Sequence, residues 1–246
     1  LVVYDPELTL ALPKALSLTS LFNAIAHTVS LQWSPPSEAA AVEAVDATAS
    51  LVAALRALDA DPDDLDARTE AMYGAYRAAA CIEIAPLGLH HLLAHTLGGS
   101  LGVSHSAGHT AVLPYSTGYN GAEAPEVIAR LRPALGDDPP ARLYDLARDL
   151  GLPHSLKGVD VARDQLPMLV DKALERNYPN PRPYDEAALA RLLDDAYHAR
   201  RPSLFSRRRS IPLRGVHAGR DITERGAPLD EAKAVVIAMH GRGAAA

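Results

Sequence analysis

The sequence predicts an all-α fold: a helical bundle with one short isolated strand at each end. Apolar residues recur at three- and four-residue spacing over most of the chain, and strand-type alternation is nearly absent between the ends. Only 5% of the 246 residues are aromatic. A core with so few aromatic rings has to be packed mainly from alanine and leucine, which suits closely packed helices.

The composition is that of an ordinary globular protein. Hydrophobic residues make up 48% of the chain and charged residues 22%, which excludes a disordered chain, a collagen and a coiled-coil rod. The sequence has no apolar run of about 18 residues, so no membrane partner is expected. The net charge of −6 argues against a general nucleic-acid binder. The single Cys81 cannot form an internal disulfide and favours a cytoplasmic location.

Two short apolar runs near the ends predict buried strands. The first covers residues 1–4 and stops at the turn signal Asp5-Pro6, and the second covers residues 234–239. A buried strand needs sheet partners for its backbone groups. Two lone strands in a helical sequence therefore predict that the chain is a segment of a longer protein. The arginines at 207–209, after Pro202, predict a linker.

Between the ends, caps and breaks divide the chain into helices. They are predicted at residues 14–33, 37–58, 61–83, 89–97, 125–135, 141–150, 161–176 and 185–200. Ser37 is expected to cap the second helix, and Asp61-Pro62 to cap and open the third. The fourth is predicted to end at Gly98-Gly99, which leaves residues 98–109 as a Gly- and Ser-rich loop.

The histidines are the most informative feature of the sequence. There are ten, and five of them lie between residues 90 and 109. Asn23 and His27 are four residues apart on one predicted helix, as are His91 and His95 on another. Residues four apart share one helical face. Two helices can therefore each direct an ordered pair of polar side chains toward one site.

The predicted loop adds His105 and His109, and a loop histidine can close over the two helical pairs. Neutral imidazole is a common ligand for divalent transition metals, and histidine transfers protons near neutral pH. The alternative is that each histidine is separately satisfied in the structure. His90 points about 100° away from His91 on a helix. We therefore interpret His90 as supporting or structural.

The segment Leu87–Gly99 resembles the signature helix of iron-type alcohol dehydrogenases, and in particular of their maleylacetate reductase branch. The resemblance extends from residue 1 to about residue 202. Its other matching segments are residues 5–9, 12–13, 20–27, 103–105, 109–114, 119–120 and 180–183. It is the joint pattern of these segments that is specific to the family.

The resemblance implies a two-domain enzyme of which this chain carries one domain. The family joins an N-terminal dinucleotide-binding domain to a C-terminal helical domain with a dehydroquinate synthase-like fold. Residues 1–202 resemble only the helical domain. The main site of the hydride donor, NADH or NADPH, is then expected outside this chain. The resemblance also implies a homodimer for the full-length enzyme.

The family's metal, iron or zinc, is held by one aspartate and three histidines. Those positions correspond to Asn23, His27, His91 and His105. Asn23 departs from the pattern, because an amide oxygen is a neutral and weaker ligand than a carboxylate. The sequence therefore predicts weak metal binding or none.

In the maleylacetate reductase branch, the same positions are expected to serve the substrate. His27, His105 and Asn23 would bind the dicarboxylate, and His91 would act in catalysis. His95 corresponds to the residue beside the nicotinamide, so it is expected both to contact the cofactor and to take part in catalysis.

The function implied by the resemblance is NAD(P)H-dependent reduction of the carbon–carbon double bond of maleylacetate to 3-oxoadipate, in the degradation of aromatic compounds. Two alternatives remain. One is an inactive helical binding remnant. The other is a serine hydrolase fusion, because residues 203–246 include a stretch, 226–243, that resembles the start of a phospholipase/carboxylesterase-type α/β hydrolase.

The pentapeptide Gly98–Gly102 has the pattern G-x-S-x-G but is not expected to be a nucleophile elbow. An elbow needs a strand before the serine and a helix after it, whereas here a helix precedes and a loop is predicted to follow. We interpret the glycines as a helix stop.

Overall fold

The structure is a computed structural model that describes residues 3–176 and 178–204, and this part of the chain is a helical bundle without strands. The predicted all-α class is therefore confirmed. Its α-helices are α1 Lys14–Leu31, α2 Glu38–Ala60, α3 Leu65–Ile84, α4 Leu89–Leu101, α5 His105–Gly121, α6 Pro125–Leu135, α7 Pro139–Asp149, α8 Leu166–Leu174 and α9 Glu186–Tyr197. None of the helices in the described ranges is both long and apolar enough to cross a lipid bilayer.

Side-chain caps begin several of these helices. Ser37 Oγ accepts a hydrogen bond from the Ala40 N–H at 3.1 Å, which confirms the predicted cap of α2. The predicted cap of α3 is wrong. Asp61 lies at the end of α2, and Asp64 caps α3 by accepting from the Ala67 N–H at 3.0 Å. Asp61 Oδ1 instead accepts from the Asp63 N–H, so it is Asp64 whose carboxylate lies three residues before a free N–H of α3.

Helix α5 joins two hydrophobic clusters. On one side, α1, α2 and α3 pack together around Phe22, Ile25 and Leu55. On the other side, α4, α8 and α9 bury Leu93 and Leu193. Since α5 contacts α1, α4, α7 and α9, polar residues on its inner face lie where the two halves of the bundle meet.

The predicted loop at residues 98–109 is wrong. Helix α4 continues through Gly98 and Gly99 to Leu101 and ends at Gly102, which has a φ of 68°. A glycine inside a helix costs only about 1 kcal/mol, so two of them do not have to end it. The helix ends where the backbone enters the left-handed region, which glycine adopts without strain. Only residues 102–104 remain between α4 and α5.

The strand predicted at the N-terminus is not present at residues 3 and 4. Val3 and Tyr4 have irregular backbone and are 77% and 55% exposed. An isolated extended segment has no ladder of hydrogen bonds, and no strand exists among the described residues to pair with this one. Residues 1–2, the strand predicted at 234–239 and the hydrolase-like stretch lie outside the described residues. The helices all belong to one unit that ends at Leu204.

Candidate active site

Six histidines from three helices form one cluster inside the bundle, here called the histidine cluster. Helix α1 contributes His27, α4 contributes His90, His91 and His95, and α5 contributes His105 and His109. His109 is fully buried at its centre. Its ring centroid lies 4.4 Å from that of His105, 4.7 Å from His90, 5.1 Å from His91, 5.6 Å from His27 and 6.3 Å from His95.

The inner part of the cluster is a hydrogen-bonded pair. His27 Nδ1 lies 2.9 Å from His91 Nε2, and the two rings stack with centroids 5.0 Å apart. His91 is only 2% exposed, so it faces His27 rather than solvent. Its second nitrogen, Nδ1, is buried and has no hydrogen-bond partner among the described residues. A substrate oxygen that reached this atom would meet little competition from protein groups.

The outer part of the cluster is formed by His95 and His105. Their rings are nearly parallel, with centroids 6.0 Å apart. His95 is half-buried, and its Nδ1 lies 3.3 Å from the hydroxyl of Tyr178. His105 is exposed at the start of α5. These two side chains therefore mark the side from which the cluster can be reached.

His90 lies behind His109 and supports it. His90 Nε2 is 2.8 Å from His109 Nδ1, and His90 Nδ1 is 3.3 Å from Ser116 Oγ. Both ring nitrogens of His90 therefore already have hydrogen-bond partners, and neither is free for a ligand. This geometry agrees with the interpretation of His90 as a supporting residue.

Burial makes these imidazoles weak bases. Desolvation, followed by the repulsion of neighbouring imidazoles, lowers the pKa of His27 to about 4 and that of His91 to about 3. The same two causes lower the pKa of His109 to about 2. The pKa of His95 is lowered too, first by burial and then by His105 and Arg176. In the absence of ligand, these four side chains are therefore neutral at pH 7.

Asn23 lies one helical turn before His27 on α1 and is half-buried. Its Oδ1 is buried and unpartnered in the described part of the chain. This oxygen can accept a hydrogen bond only from a ligand that donates one, whereas a carboxylate would have to accept from the Asn23 amide N–H groups.

The family's metal does not fit its usual positions in this chain. Asn23 supplies no negative charge, and the His27–His91 hydrogen bond occupies one nitrogen of each ring. In the described ranges, the side chains whose ligand atoms all lie within 4.8 Å of one another are instead His95, His105 and His109. We therefore derive no reaction step through a metal at Asn23, His27, His91 and His105.

A cleft of about 380 Å³ lies between α4 and α8, beside His95. Thr96, Lys172 and Arg176 are among the residues that line it. Lys172 is paired with Glu175 at 2.8 Å. The Arg176 guanidinium has no ion-pair partner within the described ranges, and it is close enough to His95 to lower its pKa. The cleft therefore offers an uncompensated positive charge next to the histidine cluster.

Two features of the site were missed by reasoning from the sequence. The central role of His109 was missed because the loop predicted at 98–109 hid the four-residue spacing of His105 and His109 on one helix. Arg176 gave no signal, because an arginine near the end of a helix is usually a solvated side chain.

Ser100 lies in the last turn of α4, with helix before it and a three-residue connection after it. No strand precedes it in the described part of the chain. Ser100 therefore lacks the strand–turn–helix setting of a nucleophile elbow.

Comparison with known proteins identifies the class to which this bundle and its histidine cluster belong. Residues 17–197 match the profile described as "Fe-containing alcohol dehydrogenase family, C-terminal". The chain belongs to the iron-containing alcohol dehydrogenase family, as the resemblance indicated.

Within that family, its relatives include several maleylacetate reductases. The chain is 44% identical over 204 residues to the maleylacetate reductase of Pseudomonas aeruginosa, covering 82% of this chain and 58% of that protein. Among solved structures, the maleylacetate reductase from Rhizobium sp. strain MTP-10005 matches with 36% sequence identity and a TM-score of 0.79. The match covers 82% of this chain and 58% of that chain. The Agrobacterium tumefaciens reductase gives 37% identity and a TM-score of 0.78 over the same shares. The chain thus spans 58% of the length of these relatives.

Proposed function

We propose that this chain is the helical, substrate-binding part of an NAD(P)H-dependent reductase that converts maleylacetate to 3-oxoadipate. The observation that carries the proposal is the buried histidine cluster, which has unpartnered imidazole nitrogens inside and His95 at its accessible edge. The maleylacetate reductases among its relatives, one of them 44% identical over 204 residues, support the choice of substrate.

The reaction adds a hydride and a proton across one carbon–carbon double bond. Maleylacetate is a dicarboxylate whose double bond is conjugated with a ketone. NADH or NADPH supplies the hydride when bound. Addition of hydride to the carbon distal to the ketone moves the electron pair of the double bond toward the ketone oxygen. Protonation of the carbon next to the ketone then gives 3-oxoadipate. The protein must therefore stabilise a transient enolate oxygen and deliver one proton.

We assign these two tasks to His91 and His95. Since His91 is neutral, it can donate a hydrogen bond from Nδ1–H to the developing oxyanion without first becoming protonated. His95 is accessible and in contact with Tyr178, so it is the better placed of the two to take up and deliver a proton. Its position at the edge also suits contact with the nicotinamide.

The remaining polar groups of the site would bind the dicarboxylate. We assign His27, His105 and Asn23 to substrate binding, as the resemblance implies. Arg176 adds a full positive charge beside His95, and a guanidinium can hold a carboxylate with two parallel hydrogen bonds. A dianion bound here would also raise the pKa values of the nearby imidazoles, because an opposite charge favours their protonated form.

The cofactor's phosphates need a binding site that the described helices do not offer. Residues 3–176 and 178–204 contain no strand followed by a glycine-rich turn and a helix. We therefore propose that a separate dinucleotide-binding domain completes the enzyme. We further propose that the complete enzyme is a cytoplasmic homodimer, with no nucleic acid and no membrane as partner.

A chimera tests the proposed function. Residues 5–204 would replace the helical domain of the Pseudomonas aeruginosa maleylacetate reductase, and NADH oxidation would be followed with maleylacetate. We expect one NADH consumed per maleylacetate, with 3-oxoadipate identified by mass spectrometry. The 246-residue chain alone should show no turnover, because it cannot position the hydride donor.

The control is the same chimera with His91→Gln and His95→Gln together, which should be folded and nearly inactive. A folded chimera that reduced simple aldehydes but not maleylacetate would contradict the proposed substrate. Turnover of maleylacetate with NADH by the 246-residue chain alone would contradict the assignment of this chain as half of the enzyme.

A further inference from the structure

We propose that His95, His105 and His109 form a binding site for a divalent transition metal of the zinc class. One ligand atom from each lies within 4.8 Å of the other two. In a tetrahedral site with Zn–N bonds of about 2.0 Å, ligand nitrogens lie about 3.3 Å apart, so small ring rotations suffice to close this one. The site shares only His105 with the positions that hold metal elsewhere in the family.

The hydrogen bonds around His90 and His109 leave His109 Nε2 with a free lone pair. Ser116 Oγ donates its single proton within helix α5, where the Val112 and Leu113 carbonyls are both 3.1 Å away. The Ser116 oxygen must then accept from His90 Nδ1–H, so His90 Nε2 carries a lone pair and accepts from His109 Nδ1–H. His109 Nε2 is left unprotonated, buried and without a partner among the described residues.

This arrangement is the one that metal-binding histidines require. A ligating histidine usually donates its other ring N–H to a neighbouring group, which fixes both the tautomer and the ring orientation. His90 does this for His109 at 2.8 Å. The Tyr178 hydroxyl, 3.3 Å from His95 Nδ1, can do the same for His95 and so free its Nε2 for the metal.

The third ligand, His105, connects the proposed metal site to solvent. His105 is exposed, and it lies one turn before His109 on the same face of α5. A metal can therefore arrive from solvent at His105 and be held by the other two rings. Three histidine ligands leave a fourth tetrahedral position open for water or an anion.

The absence of a negatively charged ligand limits the affinity of the site for a metal ion. No carboxylate belongs to the group, and Arg176 acts on His95 from nearby. Three neutral nitrogens suit zinc, copper and nickel, and they bind magnesium and calcium poorly. We therefore expect Co²⁺ and Zn²⁺ to bind and Mg²⁺ not to compete.

The test is a metal titration of the 246-residue chain without cofactor or substrate. Co²⁺ is the first probe, because a site with three histidines and one water gives the intense visible absorption of tetrahedral cobalt. Zn²⁺ affinity would then be measured by competition with a chromophoric chelator. We expect one equivalent to bind, and His109→Gln and His105→Gln each to weaken it at least about tenfold.

The matched control is His27→Gln, which alters the same cluster outside the proposed ligand set. It should leave Zn²⁺ affinity within about twofold of the parent chain. Metal at the family's usual positions would give the reverse pattern, with His27→Gln weakening binding and His109→Gln leaving it unchanged. That reverse pattern, or no saturable binding by the parent chain, would overturn the proposal.

A fourth variant, His90→Phe, tests the support that His90 gives to His109. It keeps a buried ring but removes the hydrogen bond to His109, and loss of such support typically costs about 10- to 100-fold in metal affinity. His105→Gln is at an exposed position, so it tests the site even if the buried variants fold poorly. Because metal binding is measured without cofactor or substrate, failure of this proposal would not contradict the proposed reductase activity.

Discussion

At the residue scale, His91 combines two properties that are rarely found together. It is a polar side chain with 2% exposure, and one of its ring nitrogens has no partner among the described residues. A buried polar atom without a hydrogen bond costs about 1–3 kcal/mol. Such a cost is typical of a site that keeps a group ready for a ligand, which is why we place His91 in catalysis.

The substitution His91→Gln should lower kcat of the chimeric reductase about 10²- to 10³-fold, since removing one donor aimed at a developing oxyanion costs about that much. Steady-state kinetics with maleylacetate and NADH would measure it. The matched control is His154→Gln, because His154 packs against Tyr144 outside the histidine cluster. The control should change kcat by less than about twofold. An unchanged kcat with a raised KM in His91→Gln would show that His91 binds substrate without taking part in the chemical step.

At the scale of elements, the junction between α4 and α5 determines the shape of the site. Helix α4 continues through two glycines, and a connection of only three residues leads into α5. A loop over residues 98–109 would have left His105 and His109 without a common face. The continued helix and the short turn instead place both on α5, facing His91 and His95 on α4.

Two exposed glycines at this junction allow a matched comparison of stability. A Cβ added at Gly99 or at Gly102 would meet no atom within 4 Å, but only Gly102 has a positive φ, of 68°. Gly99→Ala should therefore stabilise the protein by about 0.5–1 kcal/mol, as expected in a helix. Gly102→Ala should destabilise it by about 1–2 kcal/mol, because the left-handed conformation is costly for alanine. Urea unfolding of both variants would measure this, and equal shifts would contradict the assigned end of α4.

For the whole molecule, the histidine cluster couples stability to pH. The pKa values of His27 and His91 are lowered in the folded protein to about 4 and about 3, mainly by burial, from an ordinary value of 6.5. Between the folded and the ordinary values, the unfolded chain binds more protons than the folded one, so stability falls as the pH is lowered.

We therefore expect the unfolding midpoint in urea to fall as the pH is lowered from 7.5 to 5, measured in the presence of a chelator. The upper limit is about 1.4 kcal/mol per pH unit for each buried histidine that stays neutral. A His27→Gln, His91→Gln double variant should have a shallower dependence over the same range. This range lies above the ordinary pKa of 3.8 of Asp145 and Asp194, whose pKa values are lowered by ion pairs, so the titration of these two carboxylates contributes little. A parent chain whose stability did not change from pH 7.5 to 5 would contradict the buried, neutral cluster.

The sequence by itself determined the all-α class, most of the helices and several residues of the site. Apolar spacing and capping residues such as Ser37 act within a few residues, so they are visible without a structure. The same is true of His27, His91 and His95, because a four-residue spacing places side chains on a common helical face whatever the helix packs against. The family resemblance followed from the same residues.

Only the tertiary structure decided how these faces meet. It placed His109 at the centre of the cluster, put His90 behind it, and brought Arg176 beside His95. It also determined the contacts among the predicted metal positions: His27 Nδ1 and His91 Nε2 share a hydrogen bond, and His105 lies with His95 and His109. These contacts join residues far apart in the chain, and they depend on how α1, α4 and α5 pack. Local periodicity gives the inward face of each helix but not its register against the others, and that register decides which nitrogens come together.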